Sequence, residues 1–328
     1  MAGNSTTPKP DFWYWVRAAL AFRPVDNHPL HGGDLPPIYR VNDYQAMARQ
    51  ADSWRAKRAH LVILLLATAT AVLAEQLGSR GQAAFAAALY GLTFVIGLRV
   101  LHGRPDAAGH IHRVAAETIK SMAWLYMVHG GPFHSRVADP EALFNERLEG
   151  ALRHLRTRGW QDSRSTHTAL DGDQITPAMH AVRAKPFQAR RDLYLRDRLL
   201  EQAQWYRMAS TRAYKASLRW SAATTSLTLL GLLTTVLQAA GLFGDWCLTG
   251  LLSTAVAAAV AWQESRRFRP LASAYLLIEQ ELETLRIAMA TTVTEESWAE
   301  AVAEAERLMS PPYAGLLMQV GTWASAEP

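Results

Sequence analysis

The chain has 328 residues, enough for two domains of about 150 residues each. Its single cysteine, Cys247, excludes an internal disulfide and a thiolate metal cluster. The basic excess is modest, 34 Lys and Arg against 29 Asp and Glu, so nucleic acid is not an expected partner and the placement of charge matters more than its sum.

The first residues, MAGNSTTPKPDFWYWVRAALAF, are not expected to act as a secretory leader. They are aromatic, carry Arg17 inside the apolar part and lack a small-residue cleavage site. Phe12, Trp13, Tyr14 and Trp15 suit either a membrane surface or packing against a helical bundle. Mean hydropathy lies near zero, but the apolar residues gather in four blocks, at 59–77, 81–101, 220–243 and 246–262. A hydrocarbon core about 30 Å thick takes a helix of roughly 20 residues, and all four blocks fit that range. The last two are separated only by the turn GLFGDW.

Charge orients these spans. Arg49, Arg55, Lys57 and Arg58 precede the first; Arg99, Arg104 and Arg113 surround the end of the second; Arg207, Arg212, Lys215 and Arg219 precede the third; Arg266, Arg267 and Arg269 follow the fourth. The turns inside each pair offer only Arg80 and Asp245. The positive-inside rule therefore puts both termini and the middle of the chain in the cytoplasm. The fold class predicted is an all-α integral membrane protein with two transmembrane hairpins (four spans) and long cytoplasmic helical extensions.

The organisation is an internal repeat. An N-terminal segment (1–40) precedes a first two-span repeat (41–128), a connector of short helices (129–189), a second two-span repeat (190–293) and a C-terminal helix and tail (294–328). Arg104-Pro105 and Arg269-Pro270 stand just after the second span of each repeat, where proline resets a helix. HGGPF at 129–133 breaks the helix returning from the first repeat. Asp139-Pro140 starts a short helix with Phe144, Leu148, Leu152 and Leu155 on one face, ending at Gly159, and Thr176-Pro177 starts another. Thr294 is placed to cap the last helix, and Pro311-Pro312 to stop it.

Leu271, Tyr275, Ile278, Leu282, Leu285 and Met289 alternate by four and three residues, the spacing of a coiled-coil seam. Leu199, Ala203, Tyr206, Ser210, Ala213, Ser217 and Trp220 repeat the rhythm, and no Pro or Gly separates them from the third span. One helix of about 50 residues is predicted there, reaching roughly 75 Å. Ala83, Ala87 and Gly91, and Gly250, Thr254 and Ala258, are small residues four apart that suit close helix packing within the chain or between subunits.

No catalytic constellation stands out, and the chain is not expected to be an enzyme. His102, His110 and His112 straddle Gly103, Pro105 and Gly109, so neither a metal site nor a cofactor is expected. Ser221, Thr225, Thr228 and Thr235 share a face of the third span. They line a water-filled path in an oligomer, or bond their own backbone and pack helix to helix. Arg190, Arg191 and Arg198 gather before that span, where they meet lipid headgroups or receive an anionic nucleotide.

Three stretches, GGDLPPIYRVND, ETIKSMAWLYMVHGGPF and YLRDRLLEQAQWYRMASTRAYKA, resemble the SLATT family, the SMODS and SLOG-associating two-transmembrane effectors, here as two copies in tandem over roughly residues 30–310. Trp124, Tyr126, Gly131, Pro132 and Phe133 match one motif; Tyr194, Arg198, Gln204, Trp205 and Tyr206 match the other. Met208-Ala209 stands where the family commonly has Lys-Ala, and the chain continues SPPYAGLLMQVGTW where a charged motif is common. The resemblance implies an effector of bacterial anti-phage defence in the inner membrane, a homo-oligomer that opens a pore when a nucleotide signal, its synthetase or a sensor acts upstream. It adds Trp205 and Tyr206 to the candidate ligand contacts. A non-conducting scaffold that assembles through its cytoplasmic helices is the other reading.

Overall fold

The computed structural model describes residues 32–103, 105–160, 168–241, 248–291 and 294–310. The aromatic cluster at 12–15, Arg104, most of the turn at 241–246 and Pro311-Pro312 lie outside them. Within them the chain is all-helical: α1 (Pro37–Leu77), α2 (Arg80–Gly103), α3 (Pro105–Met127), α4 (Pro140–Thr157), α5 (Pro177–Arg183), α6 (Phe187–Tyr194), α7 (Glu201–Ala239), α8 (Leu248–Arg266), α9 (Phe268–Ala290) and α10 (Glu295–Leu308).

Each repeat is a long helix, a hairpin partner and a returning helix. In the first, α1 stops at Gly78, whose left-handed φ of 58° lets its amide cap Ala74 and Glu75, and α2 starts two residues later. Proline at the first position of α3 restarts the helix after α2. In the second repeat the break falls at Arg267, φ 48°, so Pro270 sits inside the first turn of α9. There its missing N–H is harmless.

Residues Phe187–Ala239 form one helical run of 53 residues, α6 joined to α7 through the turn Leu195–Leu200. At 1.5 Å per residue it spans roughly 80 Å. Pro37–Leu77, Arg80–Arg99 and this run are long and apolar enough to cross a membrane, and at most 11% of their most apolar windows is buried. Phe85, Phe94, Leu229, Leu232 and Val236 stand outward, a surface suited to lipid. Helix α8 is not among the three: its described part closes on Gln263, Glu264, Ser265 and Arg266, and its preceding residues lie outside.

In the first hairpin, packing uses small residues other than those the four-residue spacing singled out. Ala67, Ala74, Ala86 and Thr93 are buried between α1 and α2, where the Thr68 and Tyr90 hydroxyls meet at 3.1 Å. Ala83, Ala87 and Gly91 face outward. In α8, Ala258 is buried, Thr254 is half-buried, and Gly250 has open space around it. Ser221 is half-buried, and Thr225, Thr228 and Thr235 are exposed. The Thr228 and Thr235 hydroxyls donate to their own backbone, at Thr224 and Gly231, 2.9 and 2.8 Å away. Among the described residues, the Thr224 hydroxyl joins this span to the neighbouring helix, accepting from Gln263 at 2.8 Å.

The seam between α7 and α9 lies within one chain. Ala203, Tyr206, Ser210, Ala213 and Ser217 are buried against α9, where Ile278 and Leu282 are fully buried and Leu271 and Tyr275 half-buried. Small residues on α7 let Ser210 donate to the Ala272 carbonyl at 2.9 Å. At one end of the apolar helices the two repeats meet through Trp54 of α1 and Trp262 of α8, edge to face at 6.0 Å, with the Arg266 guanidinium 4.2 Å from the Trp54 ring. Tryptophan is enriched at membrane–water interfaces.

Beyond the spans, one hydrophobic core runs through the ends of α1, α3, α7 and α9 and through α4, α5 and α10. The short helices are capped as their sequences dictate. Asp139, Thr176 and Thr294 each accept an amide three residues on, and Phe144, Leu148, Leu152 and Leu155 are buried. Asn42 joins three elements in this core: its carbonyl oxygen meets Nε1 of Trp160 at 2.7 Å and Nδ1 of His112 at 2.9 Å. His110, two residues from His112, is exposed.

Candidate functional site

The most heavily charged part of the core lies where the long helix bends its hydrogen-bond pattern. Leu195–Leu200 forms a π turn, a rare widening found frequently at functional sites. It turns Arg198 inward. Its guanidinium grips Glu306 of α10 with two bonds, Nε to Oε1 at 3.0 Å and Nη2 to Oε2 at 2.7 Å, and both side chains are 2% exposed. Tyr194 donates to the same Oε1 at 3.0 Å. Trp124 and Trp298 pack edge-on against the Tyr194 ring, excluding water. Nη1 of Arg198 has no hydrogen-bond partner among the described residues.

Helix α3 brings a second group of charges to this place. Arg113 pairs with Glu117 at 2.8 Å, and Asp43 of α1 lies 3.7 Å from the same guanidinium. Burial works against the Glu117 carboxylate, but Arg113, Lys120 and Arg198 outweigh it and hold its pKa below the usual carboxylate range. Lys120 is shifted down, first by burial and then by Arg198.

Helix α10 is fastened along its length. At its start Glu295 pairs with Arg190 at 2.5 Å, and Arg190 also donates to the Lys185 carbonyl. Trp298 Nε1 donates to the Val128 carbonyl at 2.9 Å. The break after α3 needs glycine for contact with α10: a Cβ on Gly130 would lie 2.6 Å from Cγ1 of Val302. Gly131 combines a left-handed φ of 50° with a Cβ position 3.3 Å from Ala303. Arg183 ties down the same loop, donating to the carbonyls of Tyr126 and Phe133.

Beside the ion pair is a cavity of about 450 Å³. Glu117, Thr118 and Ser121 of α3, Arg147 of α4, Arg198 and Glu306, and Arg307 form its polar wall; Met122, Leu125, Phe133 and Met309 form the apolar one.

Of the five residues singled out as ligand contacts, only Arg198 lines this cavity. Arg190 is bound to Glu295, and Arg191 lies 3.5 Å from Asp192. Trp205 and Tyr206 stack with Tyr275 of α9, their ring centroids all within 5.5 Å of one another. Missing from the sequence reading were Glu117, Arg147, Glu306 and Arg307. Glu306 carried a signal: it falls four residues after Val302, inside the buried stripe of α10, where a carboxylate requires a partner.

The family comparison agrees with this two-part build. Residues 36–191 match the model described as SMODS and SLOG-associating 2TM effector domain 3, and residues 194–315 match that of domain 1. The chain belongs to the SLATT family. It is a tandem of two SLATT domains, and their boundary at 191–194 falls at the end of α6, where the π turn begins. Glu306 lies in the second SLATT domain, and the α3 wall of the cavity in the first. No curated protein and no solved structure matches the chain.

Proposed function

We propose that this tandem SLATT protein is a membrane effector of a bacterial anti-phage defence system. It has no enzymatic activity of its own. It oligomerises in the inner membrane with four spans and both termini in the cytoplasm, and it depolarises the cell when a nucleotide signal or an upstream partner rearranges its cytoplasmic domain. The observation that carries this reading is the 53-residue helix, which begins beside the Arg190–Glu295 and Arg198–Glu306 pairs and ends in the apolar surface of the third span. A rigid element joining a charged core to the bilayer is suited to transmit a local change. The family description, a two-transmembrane effector domain, supports the same assignment.

In this reading the third span lines the path, with Ser221, Thr225, Thr228 and Thr235 toward it. The purified protein in liposomes should release entrapped ions on activation, and Thr225→Leu with Thr228→Leu should change flux or selectivity. Unchanged flux and selectivity would remove the lining assignment.

One observation favours a non-conducting scaffold: the Thr228 and Thr235 hydroxyls are satisfied by their own helix and ask for no water. A scaffold would form ordered assemblies and release nothing.

A further inference from the structure

We propose that the cavity between α3, α4, the π turn and α10 binds a small phosphate-bearing ligand, whose phosphate competes with Glu306 for Arg198. The assignment deepens the reading that a small-molecule signal acts on the cytoplasmic domain, and rests on it. The volume, about 450 Å³, lies within the range of small-molecule sites, about 300–1,000 Å³. The walls have the two characters such a ligand needs. Met122, Leu125 and Phe133 offer an apolar surface for an organic body, and Arg147, Arg198 and Arg307 bring three guanidiniums to one opening. Arginine's planar fork matches phosphate geometry, and the Thr118 and Ser121 hydroxyls supply further donors.

The three arginines are differently committed. Arg307 is exposed and pairs with Glu304, one turn away at 2.5 Å. Arg147 is exposed and has no ion-pair partner among the described residues. Arg198 is buried and bound on two nitrogens, with no partner for Nη1 among the described residues. A phosphate reaching Nη1 also meets the Glu306 carboxylate, so binding and the Arg198–Glu306 contact oppose each other. The second carboxylate of the wall, Glu117, has Arg113 at 2.8 Å and Lys120 nearby to offset its repulsion. Because Glu306 anchors α10 and Arg198 belongs to the long helix, a phosphate that loosens their bond frees α10 from that helix. The signal thus arrives where both SLATT domains contribute to one wall.

The test is calorimetry on the full chain in nanodiscs with AMP, 3′,5′-cyclic AMP and pyrophosphate as probes, and adenosine as the phosphate-free control. At least one phosphate probe should bind and adenosine should not. Arg147→Ala with Arg307→Ala, both exposed and safe for folding, should weaken binding at least tenfold. Glu306→Gln keeps the acceptor for Tyr194 but removes the competing charge, and should tighten binding several-fold. Failure of all three phosphate probes, or binding untouched by the Arg147/Arg307 pair, overturns the site. The same double variant should be expressed in cells with a potential-sensitive dye. Depolarisation that persists beside failed binding sinks this site and leaves the effector reading intact. Binding that responds to these variants without depolarisation supports the site and sinks that reading.

Discussion

Removing one partner of the Arg198–Glu306 pair is the sharpest perturbation the core beyond the spans offers. Arg198→Met leaves a 2%-exposed Glu306 carboxylate with the Tyr194 hydroxyl, and Glu306→Leu leaves an equally buried guanidinium without its bidentate partner, with only the charge of Glu117 nearby. Breaking a buried pair from one side costs about 3–5 kcal/mol, since an uncompensated charge stays in the core. Replacing both partners removes both charges and strands chiefly the Tyr194 hydroxyl, a cost of about 1–3 kcal/mol. Two singles would sum to roughly 6–10 kcal/mol, so a coupling of at least about 3 kcal/mol separates this reasoning from independent effects. Urea titration of the detergent-solubilised protein, followed by tryptophan fluorescence, reads it directly. Trp124 and Trp298, packed around Tyr194, report on this region. Singles that each cost under about 1 kcal/mol, or a double that equals their sum, would refute the account of this pair.

Other consequences follow from named contacts. Gly130→Ala places a methyl 2.6 Å from Val302, an overpacking of about 1–3 kcal/mol that should also speed proteolysis within α10. Asn42→Leu leaves the Trp160 indole unsatisfied and should cost about 1–3 kcal/mol in the same titration. His129 is held neutral, its pKa lowered to about 4 by burial and then by Arg183 and Arg190. Between its unfolded value near 6.5 and about 4 the unfolded chain takes up the proton and the fold does not, so stability should fall as pH drops through that window. His129→Asn, which also tolerates the left-handed φ of 59°, should flatten that part of the profile. Trp262→Ala removes ring contacts with Trp54 and Trp220 and should loosen the two repeats at this end of the apolar helices, seen as faster hydrogen exchange in both.

Much of this architecture is written in local sequence. Gly78 ends α1 because only a left-handed cap fits a two-residue turn, and Asp139, Thr176 and Thr294 open helices because their oxygens satisfy free amides. The length of the α6–α7 run was legible because nothing from 187 to 239 interrupts it except a glycine inside the span. The four–three rhythm named the right seam residues, although it could not tell an intrachain hairpin from an assembly contact. Long-range pairings stayed hidden. Arg198 finds Glu306 across 108 positions, and a π turn leaves no composition mark. Five basic and aromatic residues near one another in sequence are candidate ligand contacts, but they do not share one site. Helical geometry sends Arg190 to Glu295, Arg198 to Glu306, and Trp205 and Tyr206 to α9.

The measurement that bears most directly on the effector reading is membrane potential in cells expressing the chain, with and without a phage challenge. The account predicts that the potential holds at rest and collapses on challenge, and that charge-deleting changes at Arg198 or Glu306 alter the threshold. A potential that holds throughout, while the cells still die or resist phage, would contradict it and favour the scaffold.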